Sequence, residues 1–155
     1  MPTDGNRAIF VAKNSTSDII GCCEVIEEKV DLSYKEGSVS PANERDRKKN
    51  ARLKPIIENL SVQKEYRRKG IGADLVIACE NVVQTRWIPR HDEILAQVEE
   101  ENTSALNFFA QHGYESLFID PTCKKVSLDG TLLAKETTVS KVMVRRFLDG
   151  DMQYF

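Results

Sequence analysis

No stretch of the chain is apolar for long enough to span a bilayer. The opening residues, Met1 to Arg7, hold no hydrophobic signal core and are too short and acidic for a transit peptide. As written, the chain reads as cytoplasmic; a plastid location would need a segment ahead of Met1. The cysteines, Cys22, Cys23, Cys79 and Cys123, form no C-x-x-C spacing, so a metal site is not expected. Cys22 and Cys23 are adjacent and, in a strand, would point to opposite faces, so four reduced thiols are expected. Neither His91 nor His112 stands in a triad or metal pattern. His91, in a Pro-Arg-His-Asp turn, is expected to be exposed, and His112 to end a helix where the dipole favours a cation. Excess charge is lacking too: 22 basic and 24 acidic residues give a net charge of -2. That argues against wholesale nucleic-acid binding. Internal repeats and low-complexity tracts are absent.

What is present suits a globular domain. The 155 residues are 41% apolar and 30% charged, enough to bury one core. Residues 1–155 read as a single domain. Arg7 to Lys13 and Asp18 to Glu27 are rich in β-branched and apolar residues and read as a hairpin around the polar turn 14–17. Residues 28–54 are charged and poor in apolar periodicity, and read as a long mobile loop. Pro55 to Val62 reads as a strand. Helical spacing of Ile71, Leu75, Cys79 and Val82 or Val83 predicts a helix from about Gly70 to Trp87, with Trp87 packing at its end. Ile94 to Val98 follows as a strand. A helix over 103–112 is expected, with Asn102 as its N-cap and Gly113 as a left-handed C-terminal cap. Strands at Tyr114 to Ile119 and Thr137 to Arg145, with a turn at Asp129-Gly130, complete the order. The central strand-helix-strand unit argues for a parallel pair inside a mixed sheet, an α/β (α+β) fold.

The chemistry gathers where the third strand meets the first long helix. A strand runs into Arg67-Arg68-Lys69-Gly70-Ile71-Gly72, a basic, glycine-bearing turn that opens a helix. Backbone N–H groups at such a turn lack intrahelical partners, and the dipole adds positive charge, so the turn suits a diphosphate. Gly70 and Gly72 allow close approach, and Arg67, Arg68 and Lys69 add charge. The dinucleotide pattern G-x-G-x-x-G fails, because Leu75 stands at the third glycine, and the P-loop pattern is absent.

Leu60-Ser61-Val62 followed by Tyr66 to Gly72 resembles motif A of the GNAT acetyltransferases, R-x-x-G-x-G after a strand. Asn102 to Tyr114 is similar to motif B, N-x-x-A-x-x-x-Y-x-x-x-G-F/Y. The resemblance covers Pro55 to Tyr114. It implies a mixed, largely antiparallel sheet with a central splayed parallel pair and flanking helices. It further implies acetyl transfer from acetyl-CoA to an amine, with a protein N-terminus or lysine as acceptor. Backbone groups of Leu60 and Val62 would hold the pantetheine, and the amides of Arg67 to Gly72 the pyrophosphate. Asn102 would contact the cofactor arm, and Phe109 would stand at the cofactor position where many members carry a tyrosine that protonates the leaving thiolate. Glu58 is the candidate base on the motif A strand; the alternatives are Glu99, Glu100 and Glu101. Gln97 lies where some members carry a glutamate. The stretch Asp120 to Arg145 is similar to the final hairpin of plant and algal plastid members.

Two departures keep a second reading open. Phe109 has no proton to give, and both Phe108 and Phe109 read equally as core residues. Nothing ahead of Arg7 in the sequence as given reads as the first strand and two helices usual in the family, so an open sheet edge is expected. The alternative is therefore a non-catalytic acyl-CoA-binding or interaction module. Nothing in the sequence fixes an oligomeric state.

Overall fold

A computed structural model describes residues 5–30, 52–129 and 132–147. The elements, in chain order, are β1 (Arg7–Lys13), β2 (Ile19–Val30), β3 (Arg52–Val62), a 3-10 turn (Lys64–Tyr66), α1 (Ile71–Thr85), β4 (Glu93–Glu99), α2 (Thr103–Gln111), β5 (Glu115–Asp129) and β6 (Leu132–Arg146). The strands are hydrogen-bonded in the order β1-β2-β3-β4-β6-β5, giving a mixed α/β fold. β1 and β2 pair antiparallel, as do β5 and β6; β3 and β4 pair parallel. No described helix is long and apolar enough to cross a membrane.

The contacts divide the chain into two compact units. The described parts of the first are residues 5–28, 54–96 and 145–147. Its core is built by the stripe on α1, where Leu75, Val76, Cys79 and Val83 are buried at helical spacing. Cys23 and Val25 of β2, Ile56 and Ile57 of β3 and Ile94 and Leu95 of β4 are buried with them. Each such side chain removed from water contributes about 1.5–3 kcal/mol. Glu80 is also buried on this helix and is ion-paired with Arg145. In β1 the alternation exposes Ile9 and Val11 and partly buries Ala8, Phe10 and Ala12. The described parts of the second unit are residues 29–30, 52–53, 97–129 and 132–144. Phe109, Tyr114, Phe118, Val142 and Met143 form its core. Gln97 Nε2 donates to the buried Ser140 hydroxyl at 3.0 Å.

Several expected boundaries move. Residues 28–30 belong to β2 and 52–54 to β3, so both ends of the loop expected over 28–54 are strand, and residues 31–51 lie outside the described ones. The charged composition misled here: Val30 is fully buried, and Lys54 pairs with Glu93 at 2.8 Å. α1 ends at Thr85 rather than Trp87, although Trp87 is buried as expected and its amide still reaches the Val82 carbonyl at 3.2 Å. β5 runs ten residues past Ile119, to Asp129, and β6 begins at Leu132 rather than Thr137. Backbone pairing from Cys123↔Thr138 to Asp129↔Leu132 carries these extensions. The turn expected at Asp129-Gly130 includes Gly130, which lies outside the described residues.

Candidate functional site

β3 carries the candidate base and then delivers the chain to α1. Parallel pairing with β4 is found at Ile56↔Leu95 and Ile57↔Ala96. Two residues later Asn59 adopts φ 56°, a left-handed conformation that interrupts the strand's side-chain alternation just past Glu58. Asn59 is held there by its own groups. Its Nδ2 donates to Glu24 Oε2 at 3.0 Å, and its carbonyl accepts from Cys22 Sγ at 3.7 Å. Glu24 is buried in β2 and ion-paired with Arg7.

Glu58 is half-buried beside this group. Burial, then the charges of Glu28 and Glu24, push its carboxyl up to about 7 from the ordinary 4.5, with Arg7 opposing. Burial, and then Glu24, also raise Glu28. A carboxyl poised near neutrality can both take and hold a proton.

Past Val62 the chain is tied to β2. The Gln63 amide donates to the Ile20 carbonyl at 2.8 Å, and Gln63 Nε2 to the Ile19 carbonyl at 3.1 Å. Gly21 makes room for this junction. A Cβ there would stand 3.1 Å from the Ser61 carbonyl oxygen, 3.3 Å from Leu75 Cδ1 and 3.5 Å from Ile71 Cγ2. The 3-10 turn then closes with Tyr66 N donating to Gln63 O at 2.9 Å and Arg67 N to Lys64 O at 3.3 Å.

Arg68 has φ 64° and Gly70, the N-cap residue of α1, has φ 85° and gives the helix no side-chain cap. The first helical donor is Asp74 N, to Gly70 O at 3.0 Å. Among the described residues, no backbone carbonyl accepts from the amides of Arg68, Lys69, Gly70, Ile71, Gly72 or Ala73. Arg67, Arg68, Lys69 and Gly70 are exposed, and Ile71 and Gly72 half-buried. A Cβ built on Gly70 would meet nothing within 4 Å, so its left-handed backbone, not crowding, is what favours glycine there. Arg67 is the exception in the run. Its amide closes the turn, and its Nε donates to the Val62 carbonyl at 2.8 Å, folding the guanidinium back along β3. Leu60 and Val62 are half-buried at the end of that strand.

In the second unit Asn102 caps α2, its Oδ1 accepting from Ala105 N at 3.1 Å. Phe109 is buried and packs edge-on against the buried Tyr114 with ring centroids 5.0 Å apart. Gly113 takes φ 87° at the helix end. His112 Nδ1 lies 2.7 Å from the Phe108 carbonyl, so that nitrogen carries a proton and donates it.

His91 is the clearest correction. Expected exposed, its side chain is only 7% accessible, and Nε2 meets Glu27 Oε1 at 2.9 Å. Burial would raise Glu27, but hydrogen bonds from Asn6 and His91 outweigh it and hold the carboxyl below its ordinary value. The Arg7–Glu24–Asn59 chain and the role of Gly21 were also missed by sequence reasoning. The glycine inside a strand was the one available signal, because it marks a close backbone approach.

A model of the acetyltransferase (GNAT) domain matches residues 5–116. No curated protein matches the sequence significantly. Three solved structures illustrate the likeness in fold. Chaetomium thermophilum Naa20 in complex with a bisubstrate analogue is 19% identical with a TM-score of 0.61, covering 88% of this chain and 64% of that one. Arabidopsis thaliana NAA60 in complex with acetyl-CoA is 17% identical at 0.61, covering 92% and 77%. Arabidopsis thaliana Naa50 in complex with the bisubstrate analogue CoA-Ac-MVNAL is 18% identical at 0.54, covering 84% and 68%. The chain thus spans less than two thirds of the Naa20 chain. The family match stops at residue 116, ahead of the stretch whose resemblance pointed to plastid members, and lends that narrower likeness nothing. A match that takes in β3, the basic turn, α1 and α2, over most of the sequence, places the chain in the GNAT acetyltransferase family.

Proposed function

We propose that this chain is an acetyl-CoA-dependent N-acetyltransferase whose acceptor is an amine of a protein or peptide. One observation carries the reading: six consecutive amides, Arg68 to Ala73, face no backbone carbonyl among the described residues. Oxygens of a diphosphate satisfy such donors, and the α1 dipole adds to the attraction. The open space over Gly70 admits them, and Arg68 and Lys69 add charge around them. Arg67, with its amide already used, contributes from the strand side. Acetyl-CoA, when bound, supplies an acetyl group already activated as a thioester.

Glu58 accepts the proton that the attacking amine sheds, directly or through a water. Its raised carboxyl is about half ionised at neutral pH, which suits a base. Phe109, buried against Tyr114, donates nothing to the departing thiolate. A thiol of pKa about 8.5 leaves adequately without such help. The fold likeness to Naa20, NAA60 and Naa50, each solved in complex with a bisubstrate analogue, supports a peptide amine as acceptor.

The test is transfer of labelled acetyl from acetyl-CoA to a peptide panel, followed across pH. The base must be deprotonated, so kcat/KM is expected to fall as pH drops through about 7. Glu58→Gln is expected to remove this limb and about 10²–10⁴ of the rate. The same variant is expected to be more stable at pH 8, by about 1 kcal/mol after solvent screening of a half-buried group. A raised carboxyl favours the fold below its unfolded value of 4.5, and that contribution is lost as pH rises through about 7. No transfer together with no thermal shift on adding CoA would sink the proposal. Phe109 favours one other reading, a non-catalytic acyl-CoA-binding module. Calorimetric binding of acetyl-CoA with no transfer to any peptide would select it.

A further inference from the structure

The β1–β2 turn and the basic turn before α1 are joined by a hydrogen bond that neither needs for its own closure. Asn14 organises the first of these turns. Its Oδ1 accepts from Thr16 N at 3.0 Å and Asp18 N at 2.9 Å, while the Thr16 hydroxyl lies between Asn14 Oδ1 at 2.9 Å and Asp18 Oδ2 at 2.8 Å. Two backbone donors on one oxygen fix which end of the amide is which. The Nδ2 end is thereby turned outward as a donor, and it reaches the Tyr66 hydroxyl at 3.1 Å and Asp18 Oδ2 at 3.4 Å. Tyr66 closes the 3-10 turn, and its ring carries Lys69 Nζ 5.5 Å from the centroid, within cation–π range.

Between Tyr66 and α1 the backbone passes through left-handed conformations at Arg68 and Gly70. A short loop with a non-glycine residue at positive φ costs energy and persists only when its surroundings hold it. Gln63 anchors one end on the carbonyls of Ile19 and Ile20. Asn14 anchors the loop again three residues later, through Tyr66.

We infer that Asn14 and Tyr66 are positioning residues for the cofactor's diphosphate: their hydrogen bond sets the anion-binding turn in its binding shape before the ligand arrives. The inference rests on the reading that this turn binds CoA. A preorganised site spends less binding energy on ordering the loop, so loss of the strut weakens binding without altering the chemical step.

The test compares wild type, Tyr66→Phe and Asn14→Ser. The first variant removes only the hydroxyl. The second keeps an uncharged oxygen to accept from the Thr16 and Asp18 amides and is too short to reach Tyr66. CoA affinity by calorimetry is expected to drop about three- to tenfold in Tyr66→Phe, the worth of one hydrogen bond. KM for acetyl-CoA should rise by the same factor, with kcat within about twofold. The double variant should lose no more than the worse single one. S-acetylpantetheine, which lacks the diphosphate, should be used equally well by all forms. A wild type that binds CoA alongside a Tyr66→Phe form of equal affinity would overturn the strut and leave the functional reading standing. An equal loss with S-acetylpantetheine would also overturn it, since the effect would not run through the diphosphate. A wild type that binds no CoA would overturn both.

Discussion

The two helices begin in opposite ways. α2 opens on Asn102, whose side chain accepts from Ala105 N, while the Thr103 amide is taken by the Glu101 carbonyl at 3.0 Å. α1 opens on Gly70, which has no side chain to offer, and the amides behind it meet no carbonyl among the described residues. Each start has the same orphan donors by geometry. One sequence satisfies two of its first three locally, at Thr103 and Ala105, and produces an unremarkable helix end. The other leaves them to be satisfied by something else and surrounds them with arginine and lysine. A missing cap is thus informative when it coincides with left-handed glycine, open space and positive charge.

Substitutions at three positions probe this contrast. Gly70→Glu should have the largest effect, lowering CoA affinity by roughly a hundredfold or more, because a carboxylate then sits among the donors that a diphosphate would use. Titration calorimetry measures it, and an unaltered affinity would remove the turn as an anion site. Asn102→Ala should be intermediate. Loss of the cap costs about 1 kcal/mol, seen as a lower melting temperature, whereas Asn102→Asp keeps the capping oxygen and the stability. Arg68→Gly should be smallest and of opposite sign, raising stability by about 0.5 kcal/mol through relief of its positive φ, as thermal melts would show. If Arg68→Gly is destabilising, the turn is not strained as its backbone indicates.

The sequence exposed most clearly what depends on near neighbours. Asn102 and Gly113 stand at the ends of α2 as their residue types demand, and α1 follows the spacing of Leu75, Cys79 and Val83. The stretch from β3 to α2 reads well because periodicity and caps agree there. What escaped depends on partners remote in the chain. His91 lies in a turn with no periodicity, and the carboxylate that buries it, Glu27, is 64 residues away. Glu24 carries no signal among its neighbours in the chain, and Arg7 and Asn59, which satisfy it, are 17 and 35 residues away. β5 and β6 were underestimated because residues such as Lys124, Lys125 and Glu136 are poor strand formers alone, although the hairpin ladder pairs Lys125 with Glu136. For Glu58, the residue was legible and its tuning was not. The carboxyl is lifted first by burial and then by Glu28 and Glu24, all of which only the fold brings about.

Gly21 gives the strand beneath the basic turn a fixed thickness. One methyl group there would crowd the Ser61 carbonyl oxygen at 3.1 Å and Leu75 Cδ1 at 3.3 Å, and would touch Ile71, the residue one turn before Leu75 on α1. The clearance between β2 and α1, and the reach of the amides at the helix tip, are therefore a single dimension. Bulk added at this position would be felt first as a displaced helix tip, ahead of any loss of the fold.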